Sequence, residues 1–480
     1  MNSRRWGIIS PPMGASRLFR SILLLACGWT AGCSEPPAQN LVVICIDTLR
    51  ADHVGSYGYD RDTTPHIDLL AAEGVLFEDV VAQSNWTVPA TASILTSLYP
   101  VQHGAGLRGE IRHLGTQGPP EPLRKPVETL GQILGQSGMR TALLSANPFL
   151  FGRFERGFDL ARVSQRDAAT LTDEALAWLA ENPSQPFFLY LQYMDLHQPI
   201  DPPEPYFNYF KAGMGGKRRA IHKEWGYQEV TNLEDRRFRG YRAQKIGLYD
   251  GALRYVDAQI GRLRADLEAR GLWRDTLVVI TSDHGEEFWD HAEIGRELGG
   301  DPRNIWGVGH GHTMYNELIR VPWILSGPPV PARLRMDCPA RQIDIAPTIL
   351  GYLNLPPKEE MQGISLQPMI EGHTPCRELP QVSESPAYGP DSQAVVWKNH
   401  KLIRRADGTQ LVYDLRSDGA EQHPLEDPPP ALVAGLEAVL DGALRDPADS
   451  ALADDPSAED HDNSYDAETE AQLRALGYLN

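Results

Sequence analysis

Short runs of apolar, β-branched residues recur along the chain and are typical of strands buried on both faces of a parallel sheet. Leu41 to Ile46 and Leu277 to Thr281 are almost entirely aliphatic. Thr141 to Ser145 and Phe187 to Gln192 have a similar character. Because each run is short and strongly apolar, we predict strands at all four positions.

Segments with helical periodicity alternate with these strands. The predicted helices cover Thr64 to Gly74, Ala90 to Leu98, Val127 to Ser137, Ala168 to Glu181 and Ala243 to Leu267. Alternating strands and helices indicate an α/β sandwich around a central, mostly parallel sheet. Such folds bind ligands at the carboxyl ends of their strands, where we expect the functional site of a domain spanning 41–370.

A different pattern follows in residues 371–444. Short predicted strands are separated there by turn residues, at 394–398, 401–404 and 410–413. Asp407-Gly408 is a hairpin signal, and a helix is predicted from Pro430 to Leu444. We predict a small antiparallel α+β subdomain.

Composition and charge make some classes of protein less expected than others. The 480 residues are 41% hydrophobic and 23% charged, a globular composition. The net charge of −19 would repel a phosphate backbone, so we do not expect nucleic-acid binding. Residues 445–480 are predicted to be an acidic tail, disordered at 445–466 and ending in a helix.

The N-terminus has the order of charges and apolar residues found in secretory signals. Arginines precede an apolar run from Ser21 to Cys33, which is too short to span a bilayer. Residues 31–33 resemble a bacterial lipoprotein processing site, with Cys27 as the rival site and a plain cleaved signal as the alternative. We expect a signal peptide at 1–33, a tether at 34–40 and an exported protein, held by a lipid anchor on the periplasmic side of a bacterial membrane.

Three cysteines lie beyond this leader. Cys45 falls inside a predicted strand and is expected in the core. Cys338 and Cys376 could pair in an oxidising compartment or remain separate, and the sequence leaves both possibilities open.

Metal-ligand side chains follow two of the predicted strands. Asp47 comes directly after the first strand, and Asp283 and His284 come after the strand at 277–282. Two carboxylates and an imidazole favour zinc or manganese over calcium, which prefers oxygen ligands alone. The alternative is that Asp47 caps a helix and the other two residues form a turn.

A hydroxyl lies at a predicted helix start between these two strands. Pro89 suits the first turn of a helix, which would put Thr87 just before that helix, near its N-cap. Backbone N–H groups there would face a group bonded to Thr87, and a bound cation could activate its hydroxyl for attack. The alternative is an ordinary capping threonine.

Histidines cluster towards the end of the predicted catalytic domain. His284, His291, His310 and His312 fall within 29 residues. We expect His310 and His312, together with His197 after another strand, to stabilise an oxyanion or protonate a leaving group. The alternative for each is a structural role.

Residues 201–245 contradict the global charge, with ten Lys or Arg against six Asp or Glu and many interleaved aromatics. This insert could draw an anionic substrate towards a metal site, or could be a solvated loop.

Taken together, these residues resemble the sulfatase family of the alkaline phosphatase superfamily. The matching segments, in chain order, are 47–53, 57–59, 64–68, 74–77, the Thr87 segment, 157–159, 197–199, 282–286, 310–311 with Tyr315, 320–322, 344–348, 413–415 and 473–479. The resemblance implies an alkaline-phosphatase-like sandwich and a metal-dependent ester hydrolase or transferase.

Several positions depart from the usual family pattern. Typical sulfatases convert the Cys or Ser of a C/S-x-P-x-R motif to formylglycine, whereas this chain has Thr87-Val-Pro-Ala-Thr91. Thr48 replaces the second Asp of the usual pair, and His284 replaces a common Asn. These changes resemble the phosphoethanolamine and glycerophosphate transferases, which use an unmodified Thr and one zinc or manganese ion.

The sequence therefore leads us to expect an exported enzyme with one divalent metal, bound by Asp47, Thr87, Asp283 and His284. Thr87 would attack an anionic sulfuric or phosphoric ester, on a glycan or lipid head group, with phosphoesters favoured. The alternatives are a true sulfuric ester hydrolase without formylglycine and a non-catalytic, anion-binding protein.

Overall fold

A computed structural model describes residues 38–114, 119–150, 152–181, 184–210, 233–298, 307–445 and 467–475. The predicted signal peptide, with Cys27 and Cys33, and most of the predicted tether lie outside the described residues, as does the acidic stretch 446–466. The basic insert is described only at its two ends. Of the helices in the described ranges, none is both long and apolar enough to cross a membrane.

The strands are numbered along the chain. They are β1 (Asn40–Ile46), β2 (Val75–Phe77), β3 (Val80–Val81), β4 (Ile111–His113), β5 (Arg140–Ser145), β6 (Leu160–Val163), β7 (Phe187–Tyr193), β8 (Thr276–Thr281), β9 (Glu287–Phe288), β10 (Val308–Gly309), β11 (Trp323–Ser326), β12 (Leu334–Met336), β13 (Ala340–Arg341), β14 (Gln381–Ser383), β15 (Tyr388–Pro390), β16 (Ser392–Trp397), β17 (His400–Arg405) and β18 (Gln410–Asp414).

Eight strands form the central sheet, in the order β12-β2-β11-β8-β1-β7-β5-β6. All neighbours are parallel except β11, which runs antiparallel to β2 and β8. The predicted α/β sandwich on a mostly parallel sheet is confirmed.

The helices are also numbered along the chain. They are α1 (Pro65–Glu73), α2 (Thr87–Thr96), α3 (Pro100–His103), α4 (Leu130–Gln136), α5 (Ala168–Glu181), α6 (Arg236–Ala269), α7 (Ala292–Leu298), α8 (Asn316–Ile319), α9 (Ile345–Tyr352), α10 (Gln367–Ile370), α11 (Pro430–Ala443) and α12 (Ala467–Ala475).

Two helices begin earlier than the sequence predicts: α6 starts at Arg236 rather than Ala243, and the start of α2 also differs. Helix α2 starts at Thr87 rather than Ala90, so Thr87 is the first helical residue and Trp86 is the N-cap. The prediction that Thr87 precedes the helix was wrong because Pro89 is tolerated throughout the first turn, where N–H groups have no helical partner. The first bond of the helical pattern runs from the N–H of Ala90 to the carbonyl of Trp86, at 3.4 Å.

The central sheet is buried on both faces. Along β1, Leu41, Val43 and Cys45 pack into one hydrophobic core, and Val42 and Ile44 pack into another. The prediction that Cys45 is a core residue is confirmed. Burial of each Val, Leu or Ile side chain contributes about 1.5–3 kcal/mol to the free energy of folding. A shift of β1 along the sheet would lose this burial, so packing fixes the residue at which β1 ends.

The C-terminal region forms the predicted antiparallel sheet, in the order β14-β16-β17-β18. Helix α11 packs on it through Leu436 and Leu440. A separate two-stranded sheet joins this region to the preceding domain, since β15 pairs with β4. The terminal helix α12 buries Leu473 in the main core.

A disulfide joins Cys338 to Cys376, whose Cα atoms are 5.7 Å apart. It links the segment before β13 to the segment after α10. The structure thus takes the paired alternative that the sequence had left open.

A buried ion pair within the C-terminal region contacts the preceding domain through Asn316. The Lys401 ammonium on β17 is 2.5 Å from a Glu421 carboxylate oxygen, and both side chains are fully buried. The same ammonium donates to the side-chain oxygen of Asn316, and Glu421 accepts from the backbone N–H of Asn316. Removing one partner would leave an uncompensated buried charge.

We therefore expect Lys401→Met to lower the free energy of unfolding by about 3–5 kcal/mol. The matched control is Arg404→Met on the same strand, whose partner Asp441 is exposed, and it should cost less than about 1 kcal/mol. Urea denaturation measures both. Equal small losses in the two variants would contradict the structural role of the buried pair.

Candidate active site

Three metal-ligand side chains meet at one edge of the central sheet. Strands β1 and β8 are parallel neighbours with Cys45 opposite Thr281, so Asp47 and Asp283 emerge side by side. Asp47, Asp283 and His284 are fully buried, and their ligand atoms all lie within 4.8 Å of one another.

Hydrogen bonds orient each of these groups. The backbone N–H groups of Thr48 and His284 donate to Asp283 Oδ1 at 3.3 and 2.9 Å. His284 Nδ1 lies 2.9 Å from the Gly285 carbonyl, which assigns the proton to Nδ1 and leaves Nε2 as the ligand atom. That Nε2 is 3.6 Å from Asp283 Oδ2 and 3.9 Å from Asp47 Oδ1.

The electrostatics of this cluster favour a cation. Burial, together with repulsion from Asp283, raises the pKa of Asp47 to about 8. Burial raises the pKa of Asp283 to about 7 and lowers the pKa of His284. Asp47 Oδ1 is buried without a hydrogen-bond partner. Two close buried carboxylates, one with an orphaned oxygen, beside a neutral imidazole nitrogen fit a divalent metal ion.

Thr48, which follows Asp47, is not part of this donor set. Its hydroxyl donates to the carbonyl of Asp47 at 2.7 Å. The cluster therefore offers three side-chain ligands from the two strand ends, plus the hydroxyl of Thr87.

The Thr87 hydroxyl lies beside these ligands. Its Oγ1 is 3.4 Å from Asp47 Oδ2 and 3.4 Å from His284 Nε2. Trp86 fixes the start of α2, since its indole N–H donates to the Ser385 carbonyl at 2.7 Å. The unpaired N–H groups of the first turn make this helix end favourable for an anion.

Two buried amides complete the cluster, and the sequence analysis missed both. Asn147 Nδ2 donates to Asp47 Oδ2 at 2.6 Å and to Thr87 Oγ1 at 3.2 Å. Gln192 Nε2 donates to Asp283 Oδ2 at 3.2 Å. Asn147 lies two residues beyond β5. Asp47 was identified because it follows a predicted strand, and the same reasoning could have identified Asn147.

Two of the predicted catalytic histidines lie next to the cluster. The His310 ring centre is 4.4 Å from that of His284 and 5.1 Å from that of His197. His310 Nδ1 is 3.1 Å from Glu286 Oε2. His197 Nδ1 donates to the Gln198 carbonyl at 2.6 Å, and burial lowers the pKa of His197 to about 3.

The other two clustered histidines pair with glutamates elsewhere. His312 Nε2 is 2.8 Å from Glu287 Oε2. His291 Nδ1 is 2.7 Å from Glu317 Oε1, and its Nε2 is 3.0 Å from the Glu421 carbonyl. The structure thus brings His284 and His310 together and places His291 in a network beside the C-terminal sheet.

One described basic residue of the insert approaches the site. Lys245, on α6, is buried, and its ammonium donates to Gln198 Oε1 at 2.5 Å. Gln198 directly follows His197, so this cation lies beside the histidine side of the site. The basic residues at 211–223 fall outside the described ranges.

The amino-acid sequence is similar to those of several known proteins. A family model described as Sulfatase matches residues 39–355. The multifunctional alkaline phosphatase superfamily protein PehA of Trinickia caryophylli is 25% identical over 485 residues, covering 80% of this chain and 90% of that protein. The Δ4,5-hexuronate-2-O-sulfatase of Bacteroides thetaiotaomicron is 23% identical, covering 92% and 96%.

A solved structure shares the fold. The phosphonate monoester hydrolase of Agrobacterium radiobacter superposes with a TM-score of 0.66 at 20% identity, covering 85% of this chain and 95% of that one. The predicted alkaline-phosphatase-like architecture, with its separate small antiparallel sheet, is confirmed.

We expect one zinc or manganese ion per chain, because three side-chain ligands and one hydroxyl suit a single tetrahedral ion. Asp47→Ala and Asp283→Ala should each lose it. Asp195→Asn is the control, since this carboxylate after β7 instead accepts the Ala168 N–H. Elemental analysis decides: stoichiometric calcium, or an unchanged metal content in Asp47→Ala, would count against this site.

Proposed function

We propose that this chain, which belongs to the sulfatase family and is an ester hydrolase of that family, uses the Thr87 hydroxyl as its nucleophile and prefers phosphoric to sulfuric esters. The substrate would be an anionic ester, on a glycan or a lipid head group. The final acceptor would be water or an alcohol.

The position of Thr87 Oγ1 carries this proposal. The hydroxyl lies 3.4 Å from two ligands of the candidate metal site and at the positive end of a ten-residue helix. The family motif has its formylglycine-forming Cys or Ser at this position, and a threonine cannot become formylglycine by that route. An unmodified hydroxyl is therefore the group available to attack.

The metal would be held by Asp47, Asp283 and His284, with Thr87 as a fourth ligand. Zinc or manganese suits this set better than calcium because one donor is a nitrogen. Such a cation, when bound, lowers the pKa of a coordinated hydroxyl and offsets the charge of the two carboxylates.

In the first half-reaction, the Thr87 hydroxyl gives its proton to Asp47 Oδ2, 3.4 Å away, Oγ1 forms a bond to phosphorus, and the ester oxygen departs with its bonding electrons. We assign His310 to protonate that oxygen, because Glu286 holds Nδ1 and so directs proton transfer to Nε2. The ring of His197 is neutral at pH 7, which suits it to hydrogen bonding with the substrate rather than to proton donation.

The preference for phosphorus follows from the second half-reaction. A formylglycine hydrate can expel sulfate by collapsing to the aldehyde, whereas a threonine ester has no such exit. Water or an alcohol must therefore attack the phosphorus or sulfur atom directly. Phosphoryl transfer supported by positioned charge is the better precedented case.

A sulfuric ester hydrolase without formylglycine is the second candidate. One relative is named a hexuronate-2-O-sulfatase, so a sulfated glycan is a reasonable alternative substrate. A non-catalytic anion-binding role is disfavoured by the complete set of buried ligands, since a site that has lost its chemistry has no need to keep them.

We also propose that the protein is exported and anchored through a lipid on Cys33, on the periplasmic side of a bacterial membrane. The order of basic and apolar residues at 1–33 supports export. The disulfide between Cys338 and Cys376 agrees with an oxidising compartment.

We expect Thr87→Ala to lose all turnover and Thr87→Ser to keep part of it. The control is Thr91→Ser, the same kind of change one turn along α2. Steady-state rates on matched panels of phosphate and sulfate esters test the proposal, and phosphoesters should be turned over faster. Turnover of sulfate esters with no activity on any phosphoester would overturn the phosphoryl preference.

Cys33→Ser should release the protein from the membrane as a soluble, exported form. Fractionation with and without detergent measures this, and Cys27→Ser is the matched control. Persistent membrane attachment of the Cys33 variant would move the anchor to Cys27 or to another part of the chain.

A further inference from the structure

We infer that Asn147 is a hydrogen-bond donor to the Thr87 oxygen when that oxygen leaves the covalent ester in the second half-reaction. This role rests on the proposed function of Thr87. The donor would assist breakdown of the threonine ester, which cannot expel its phosphate or sulfate by collapsing to an aldehyde as a formylglycine hydrate can.

The surroundings of Asn147 fix which end of its amide faces Thr87. The backbone N–H of Phe149 donates to Asn147 Oδ1 at 2.9 Å, and Ser145 Oγ accepts the backbone N–H of Asn147 at 3.0 Å. The amide oxygen is therefore occupied on the loop side, and the NH₂ group points to the site. The side chain is fully buried, so water does not compete for it.

The NH₂ group has one hydrogen for each of its two acceptors. One goes to Asp47 Oδ2 at 2.6 Å and the other to Thr87 Oγ1 at 3.2 Å. Because Thr87 Oγ1 accepts this bond, its own proton remains available for donation to Asp47 Oδ2, 3.4 Å away. The donor is thus in place before any charge develops on Oγ1, which is the arrangement that stabilises an oxyanion.

The two half-reactions use this donor unequally. During attack, Oγ1 loses negative charge as its bond to phosphorus forms. The donor then has two opposing effects, because it favours deprotonation of the hydroxyl but makes the resulting alkoxide less nucleophilic. During breakdown, a water oxygen bonds to phosphorus, the bond from phosphorus to Oγ1 breaks, and its electron pair returns to Oγ1, which regains its proton from Asp47 Oδ2. The water proton returns to the histidine that protonated the first leaving group. The donor therefore lowers the barrier to breakdown, measured from the covalent ester, more than the barrier to attack, measured from the free enzyme, in which Thr87 already accepts this bond.

The test uses Asn147→Leu, which keeps the approximate size of the side chain and removes the donor. The probe is bis(p-nitrophenyl) phosphate with the metal-loaded enzyme. We expect kcat to fall about 100- to 1,000-fold, the usual effect of losing one oxyanion donor, while kcat/KM changes little. Rapid-quench mass spectrometry should show a burst of one nitrophenol per site and an ester accumulating on the Thr87 peptide.

Gln192→Leu is the matched control. It removes a buried amide that donates to Asp283 but does not contact Thr87. This variant should bind metal more weakly without accumulating the ester. If Asn147→Leu does not fold, Asn147→Ala is measured in the same way, since it adds no bulk.

The possible failures are distinguishable. Equal falls in kcat and kcat/KM without ester accumulation, in an enzyme that Thr87→Ala inactivates, would overturn the role of Asn147 alone. Turnover that survives in Thr87→Ala would overturn the proposed nucleophile, and with it the role of Asn147. If only sulfate esters are turned over, the same burst experiment with p-nitrophenyl sulfate decides between these outcomes.

Discussion

Two carboxylates buried side by side are the constraint on which the rest of the site depends. Asp47 and Asp283 leave adjacent parallel strands at the same height, and the cores on the two faces of the sheet fix where those strands end. Burial raises the pKa of Asp47 to about 8 and the pKa of Asp283 to about 7, and repulsion from Asp283 adds to the shift at Asp47. A divalent cation removes that cost, so the fold itself creates the demand for a metal.

The other groups of the site also stabilise the two buried carboxylates or lie beside them. Asn147 and Gln192 each donate an amide hydrogen to one of the carboxylates, and neither adds charge. Helix α2 brings an uncharged hydroxyl, with the positive end of its dipole, to the same point. The result is a site in which a metal ion would supply the local positive charge and the protein supplies fixed dipoles around it.

Much of this arrangement could be predicted from the sequence because it follows from strand ends. Apolar runs predicted β1 and β8. Because functional side chains lie at the carboxyl ends of such strands, Asp47 and Asp283 were expected to lie close together. The structure agrees, since Thr48, next to Asp47, donates to Asp283 although 235 positions separate the two residues. The roles of the histidines were harder to predict, since nothing in the sequence separates His310, which lies beside His284, from His291, which pairs with Glu317. Asn147 was missed because a lone asparagine after a strand is usually a turn residue; its position at the end of β5 was a usable signal, and its distance to Thr87 shows its role.

The proposed function requires that Thr87 carries the transferred group during turnover. The most direct measurement is mass spectrometry of the peptide that contains Thr87, after acid quench of the metal-loaded enzyme while it turns over a phosphoester. We expect a phosphate ester on Thr87 that appears when substrate is added and disappears when the substrate is exhausted. An unmodified Thr87 throughout turnover, with the added group on another residue or on none, would contradict it.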